Sequence, residues 1–124
     1  MEIDYRQAID FIKKSDNIYV LCHQSPDGDT LGSAFALVNV LRSMGKKANA
    51  LCSDQFPHRY NFMYDGYYKQ EFEPKTIIAV DVADQELLGK NLNHYRDSID
   101  LCIDHHISNT FFADNSLRIS SSSA

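Results

Sequence analysis

Seven side chains able to hold a cation or move a proton fall in three short clusters. They are His23, Asp27 and Asp29; then Asp81; then Asp104, His105 and His106. All are imidazoles or carboxylates. Carboxylates crowded together repel one another unless they are protonated or neutralised by cations. A nitrogen and oxygen donor set suits manganese, iron or zinc at an open site, and the absence of thiolate from these positions argues against structural zinc. About six ligands exceed the need of one open catalytic ion. They suit two ions sharing a bridging carboxylate, which at ~3.5–4 Å apart can hold a hydroxide and polarise a phosphoryl oxygen.

Residues this far apart in sequence must be gathered by the fold. Residues 4–14 read as a helix, with Tyr5, Ala8, Ile9 and Ile12 at helical spacing. Residues 17–22, 48–52, 75–82 and 100–103 are short apolar runs of the kind buried in parallel sheets. Residues 25–29 form a turn, in which Pro26 fixes the backbone and Gly28 permits a tight bend. The clearest helix is 30–44, with Leu31, Ala34, Leu37, Val38 and Leu41 on one face and Gly45 as its stop. Its small Gly32 and Ser33 would let it lie close to a sheet, and its N-terminus would favour phosphate. Residues 57–64 read as a short aromatic-rich helix and 85–96 as a weak helix or irregular crossover. Strands alternating with helices predict an α/β fold, a mostly parallel sheet flanked by helices. Each acidic or imidazole cluster then follows a strand and lies at the carboxyl edge, where such sheets bind ligands.

The chain has 124 residues, enough for one domain; 44% are hydrophobic and 23% charged, ordinary for a globular protein. No apolar run approaches the ~20 residues that cross a bilayer, and the acidic start lacks a secretory n-region. Cys22, Cys52 and Cys102 are odd in number and form no CxxC pair, so they read as buried thiols in a reducing cytoplasm. A net charge of −5 argues against a coat for long duplex nucleic acid. A small phosphorylated substrate remains compatible, because bound metal would bring the positive charge.

Several residues carry plainer readings. Asp29 alone could cap the helix at Thr30, although its neighbours favour ligation. Asp84 reads as a cap or supporting group, and His58 and His94 as surface residues. Tyr60, Phe62, Tyr64, Tyr67 and Tyr68 fit packing at the sheet edge better than base stacking. Arg59 and Arg118 carry little weight as single phosphate-binding arginines, and Asp114 fits no motif.

The stretch His23-Gln-Ser-Pro-Asp27-Gly-Asp29-Thr-Leu-Gly-Ser33, then Val80-Asp81-Val82-Ala83-Asp84, then Asp104-His105-His106 resembles the first three motifs of the DHH phosphoesterase superfamily, in family order. The form of the first motif looks most like the branch containing oligoribonuclease (nanoRNase), 3′-phosphoadenosine 5′-phosphate phosphatase and cyclic-dinucleotide phosphodiesterase members. The resemblance implies a Rossmann-like DHH domain. His23 and Asp27 would bind one metal, Asp29 and His105 the other, and Asp81 both. His106 would face the substrate phosphate, and Asp104 would orient a histidine. Asn109 is similar to an asparagine that follows this motif and would join His106 at the substrate, although turn formation explains it equally. Two Mn2+ ions are implied, with Mg2+ or Co2+ as alternatives, and a metal-activated hydroxide as nucleophile. The implied substrates are short RNA or small nucleotides; an inorganic pyrophosphatase or polyphosphatase and a non-catalytic nucleotide- or metal-sensing module are the alternatives. A homodimer stays open. Residues 1–124 are expected to form the DHH domain without the family's fourth motif or C-terminal substrate-binding domain, with 119–124 resembling the family's serine-rich turn. Such a fragment is expected to be weakly active or inactive.

Overall fold

A computed structural model describes residues 1–119. Five strands form one sheet: β1 (Ile18–Leu21), β2 (Ala48–Leu51), β3 (Thr76–Val80), β4 (Leu101–Asp104) and β5 (Asn115–Arg118). Their order is β2-β1-β3-β4-β5 and every pairing is parallel. The central strand β3, Thr-Ile-Ile-Ala-Val, is buried along its whole length. That is the pattern of a strand covered on both faces.

Helix α1 (Tyr5–Lys14) starts in a capping box between Asp4 and Gln7. It lies with α2 (Gly28–Ser43) against one sheet face, where Leu31, Ala34, Phe35, Val38 and Leu41 meet Val20, Ile78 and Leu101. A 3-10 turn (His58–Tyr60) leads into the short α3 (Asn61–Tyr64) on the same side. The aromatic rings divide in two. Tyr64 and Tyr67 pack on Phe35 with centroids 5.6 and 5.0 Å away, whereas Phe62 and Tyr68 stay exposed. The opposite sheet face is covered by two 3-10 segments, Gln85–Leu88 and Lys90–Tyr95, whose Leu88 and Leu92 join Leu21, Ala79 and Cys102. The crossover at 85–96 is therefore irregular. Among the described residues no helix is long and apolar enough to cross a membrane.

The structure differs from the sequence reading in four places. Strand β5 is unanticipated: Asn-Ser-Leu-Arg has no β-branched residue, and pairing with β4 sets it. Helix α2 begins two residues early, so its cap is Asp27, whose carboxylate accepts from Thr30 N at 3.0 Å, and Asp29 sits in the first turn. Gly32 makes no close approach, since a Cβ there would meet nothing within 4 Å. In α1 the buried residue is Ala8, with Phe11 and Ile12 beside the core, while Tyr5 and Ile9 face solvent. The serine run at 120–123 lies outside the described residues.

The link between the two 3-10 segments turns on Gly89, at φ 88° and ψ 171°, a region nearly restricted to glycine. A Cβ there would also stand 2.7 Å from the Ser53 Cβ. Gly89→Ala should lower stability by about 1–3 kcal/mol in urea unfolding; an unchanged midpoint would show that this packing relaxes without cost.

Candidate metal centre

The strand order reverses between β1 and β3, so the loops leaving these strands diverge and open a crevice at their carboxyl ends. His23 and Asp27 come from the loop after β1, Asp29 from the first turn of α2, and Asp81 immediately follows β3. Asp104 ends β4, with His105 and His106 after it. The structure thus brings all seven candidate residues to one edge of the sheet.

Asp81 is the meeting point. It is buried, 3% exposed, and its backbone has φ 60°, a left-handed conformation that side chains seldom adopt. Its amide donates to Ile103 O at 2.9 Å, which ties it to β4. One carboxylate oxygen stands 2.8 Å from His105 Nε2 and the other 3.8 Å from His23 Nε2. His23 Nε2 is also 3.9 Å from Asp27, and His105 Nε2 is 3.4 Å from Asp29. Two donor groups result. Ligand atoms of His23, Asp27 and Asp81 lie within 4.8 Å of one another, as do those of Asp81, Asp104, His105 and His106. Asp81 belongs to both.

Hydrogen bonds fix which atoms can serve. His23 Nδ1 faces Gln24 O at 2.7 Å and so carries the proton, which leaves the Nε2 lone pair toward Asp27 and Asp81. Asp104 is buried, and both its oxygens are engaged, one by His106 Nδ1 at 2.6 Å and one by Asn109 Nδ2 at 2.8 Å. That commitment makes Asp104 the group that orients His106, although it also falls within ligand distance. It turns His106 Nε2 away from Asp104. Asn109 is buried too, and its Oδ1 accepts from Phe111 N at 2.7 Å. It meets the site through Asp104, and it also makes the turn.

The electrostatics favour cations. Burial pushes the Asp81 carboxyl above its usual range and the Asp29 charge adds to this, with His105 and His106 pulling the other way. For His106, burial disfavours the charged ring, but the Asp104 hydrogen bond and the charges of Asp104, Asp81 and Asp29 outweigh it and raise the pKa. The Asp29 contribution at Asp81 and the carboxylate contributions at His106 both reflect negative charge gathered in the crevice. The donors present, nitrogen and oxygen without sulfur, fit divalent metal.

Two of the supports, Asp54 and the Leu87 carbonyl, come from segments that carry no motif. Ser25, at φ 50°, donates its backbone N–H to Asp54 Oδ2 at 2.6 Å, and Gln24 N donates to Leu87 O at 2.7 Å. Thr30 Oγ1 reaches Val80 O at 3.4 Å, tying the start of α2 to the end of β3. Asp54 was detectable only as a carboxylate following a strand. The backbone contacts left no signal in the sequence. Asp84 caps the first 3-10 segment by accepting from Glu86 N, and His58 and His94 are on the surface. Asp114 precedes β5 and is exposed at the amino edge, across the sheet from the centre.

Among known proteins, a family model described as DHH family, N-terminal domain, matches residues 17–124. No curated protein matches the sequence. Among solved structures, the crystal structure of an exopolyphosphatase-related protein from Bacteroides fragilis is similar, with a TM-score of 0.78 and 24% identity. The match covers 94% of this chain and 38% of that one, so the chain spans well under half the length of this neighbour.

All three thiols are free, and Cys22 and Cys102 are buried. Burial pushes the Cys102 thiol up to about 12, with the Asp104 charge adding to it, and burial also raises Cys22. Iodoacetamide on the folded protein should therefore alkylate only Cys52, with Cys22 and Cys102 reacting after unfolding. Mass spectrometry of peptides from native protein showing Cys102 modified would refute this.

Proposed function

The chain belongs to the DHH family, and on that premise we propose that its acidic crevice is the two-metal centre of a phosphoesterase acting on short oligonucleotides or small nucleotides. The observation that supports the reading best is the sharing of Asp81 by two histidine and carboxylate groups. His23 and Asp27 would hold one ion, His105 and Asp29 the other, and Asp81 both. Divalent ions there would supply Lewis-acid polarisation of the phosphoryl group and a nucleophilic hydroxide at neutral pH. Manganese suits the donors, with Mg2+ or Co2+ as substitutes.

The chain's own groups have separable duties. Asp104 holds the His106 Nδ1 proton and stabilises the charged ring, so that Nε2 can donate to a phosphate oxygen. Asn109 keeps Asp104 in place. The α2 N-terminus, anchored by Asp27 and Thr30, adds a dipole whose positive end faces the crevice. A second reading is inorganic polyphosphate or pyrophosphate as substrate, since the Bacteroides fragilis neighbour is described as exopolyphosphatase-related.

Manganese binding by calorimetry, with turnover of a diadenylate and of pyrophosphate by the whole protein, tests these roles. Asp81→Ala should abolish manganese binding and turnover together; full occupancy in that variant would reject the bridging carboxylate. His106→Ala should keep manganese and lose roughly 10²–10³-fold in kcat, and an unaltered kcat would remove His106 from the phosphate. Orthophosphate release from pyrophosphate with no cleavage of the diadenylate would favour the second reading.

A further inference from the structure

The loop after His106 carries apolar groups that neither the metal centre nor the core employs. Ile107 is 80% exposed, the highest value for a large hydrophobic side chain among the described residues. Asn109 N donates to His106 O at 3.2 Å and closes a turn with Ile107 and Ser108 at its tip. Phe111 is 36% exposed and held at φ 53°, an unfavourable conformation for an aromatic residue. Arg118 ends β5 in register with Asp104. Its guanidinium lies over the Phe111 ring at 5.0 Å, and its Nη1 donates to Ile107 O at 3.1 Å. One arginine thereby ties the Phe111 ring to the backbone of Ile107, next to the histidine assigned to the phosphate.

The chemistry of this surface selects among phosphate compounds. Inorganic polyphosphate presents only phosphate oxygens and no apolar or aromatic face. It could engage Arg118 but would gain nothing from Ile107 or Phe111. A nucleobase has a flat π-face that stacks on aromatic and guanidinium groups and covers aliphatic surface. A purely structural clasp of Arg118 on Phe111 would account for the ring but not for an isoleucine left in water beside the centre. We infer that Ile107, Phe111 and Arg118 form a nucleobase platform that selects nucleotides over inorganic polyphosphate. The inference rests on the phosphoesterase reading given above.

The test is fluorescence titration of the protein in Mg2+ with 2-aminopurine riboside 5′-monophosphate, whose emission falls when its base stacks. Wild-type protein should quench the probe. Ile107→Ser and Arg118→Gln should each raise its Kd by at least about fivefold. Ile107→Ser changes only an exposed side chain and should leave the Kd for pyrophosphate, measured by calorimetry, unaltered. Absence of quenching by wild type, or an unaltered probe Kd in both variants, would overturn the platform. If manganese-dependent turnover of pyrophosphate or diadenylate persisted, the phosphoesterase reading would survive that failure. Absence of manganese binding, together with absence of turnover on both substrates by the whole protein, would overturn the phosphoesterase reading, and the platform with it.

Discussion

Everything at the carboxyl edge of this sheet answers to one constraint: a buried carboxylate, Asp81, must share a small volume with other carboxylates. Burial and the Asp29 charge both disfavour its ionised form. Such a residue persists only where the surroundings over-determine it, as its left-handed backbone also requires. Here the surroundings are β3 before it, the Ile103 carbonyl beside it and two imidazole nitrogens against its two oxygens. The parallel sheet provides them. With order β2-β1-β3-β4-β5, the loops after β1 and β4 arrive on opposite flanks of β3, so His23 and His105 approach Asp81 from two sides.

The supports are arranged in order of rigidity. Strand ends place Asp81 and Asp104 directly, and Asp104 spends both oxygens inside the protein. A carboxylate so engaged makes a good orienting group, because its partners lock its rotamer and it locks that of His106. The first-motif loop is less intrinsically fixed. It depends on Asp54, the Leu87 carbonyl and the close packing around Gly89, all contributed by segments remote in sequence. Two residues of this neighbourhood, Ser25 and Asp81, carry positive φ. Strained backbone thus occurs beside the candidate site, and the adjoining irregular crossover helps to hold it through the Gln24 to Leu87 bond.

The sequence made most of this legible because the informative signals were local. Apolar runs marked four strands, and helical spacing marked α1 and α2. The chemical residues stood at or just beyond strand ends, so a parallel sheet with the site at its carboxyl edge followed from alternation, whereas the strand order came only from the structure. The signals failed where structure is imposed from a distance. Strand β5 has a weak intrinsic tendency and exists through its register with β4. The cap of α2 moved from Asp29 to Asp27 because a helix start is decided by side-chain reach, which composition leaves degenerate within a turn. For Asn109, the substrate reading drew on its place after Asp-His-His and the turn reading on asparagine's turn tendency; its bond to Asp104 needed the folded loop. The side chains at 107, 111 and 118 are spread over twelve positions and share no motif, so only the structure joins them.

Charge links the metal centre to whatever phosphate reaches it. The protein carries a net charge of −5, and four aspartates, Asp27, Asp29, Asp81 and Asp104, face or support the crevice. A phosphate approaching without cations would meet repulsion from the residues that are meant to receive it. Arg118 is turned toward the Phe111 ring and the Ile107 carbonyl, and cannot alone offset that field. Cations in the crevice would reverse its sign, and a phosphate bound there would in turn neutralise the excess positive charge on the cations. Each partner must then strengthen the other's binding by the same factor. On the proposed reading such a protein needs few basic residues to handle phosphate, which would reconcile an acidic chain with a phosphate substrate.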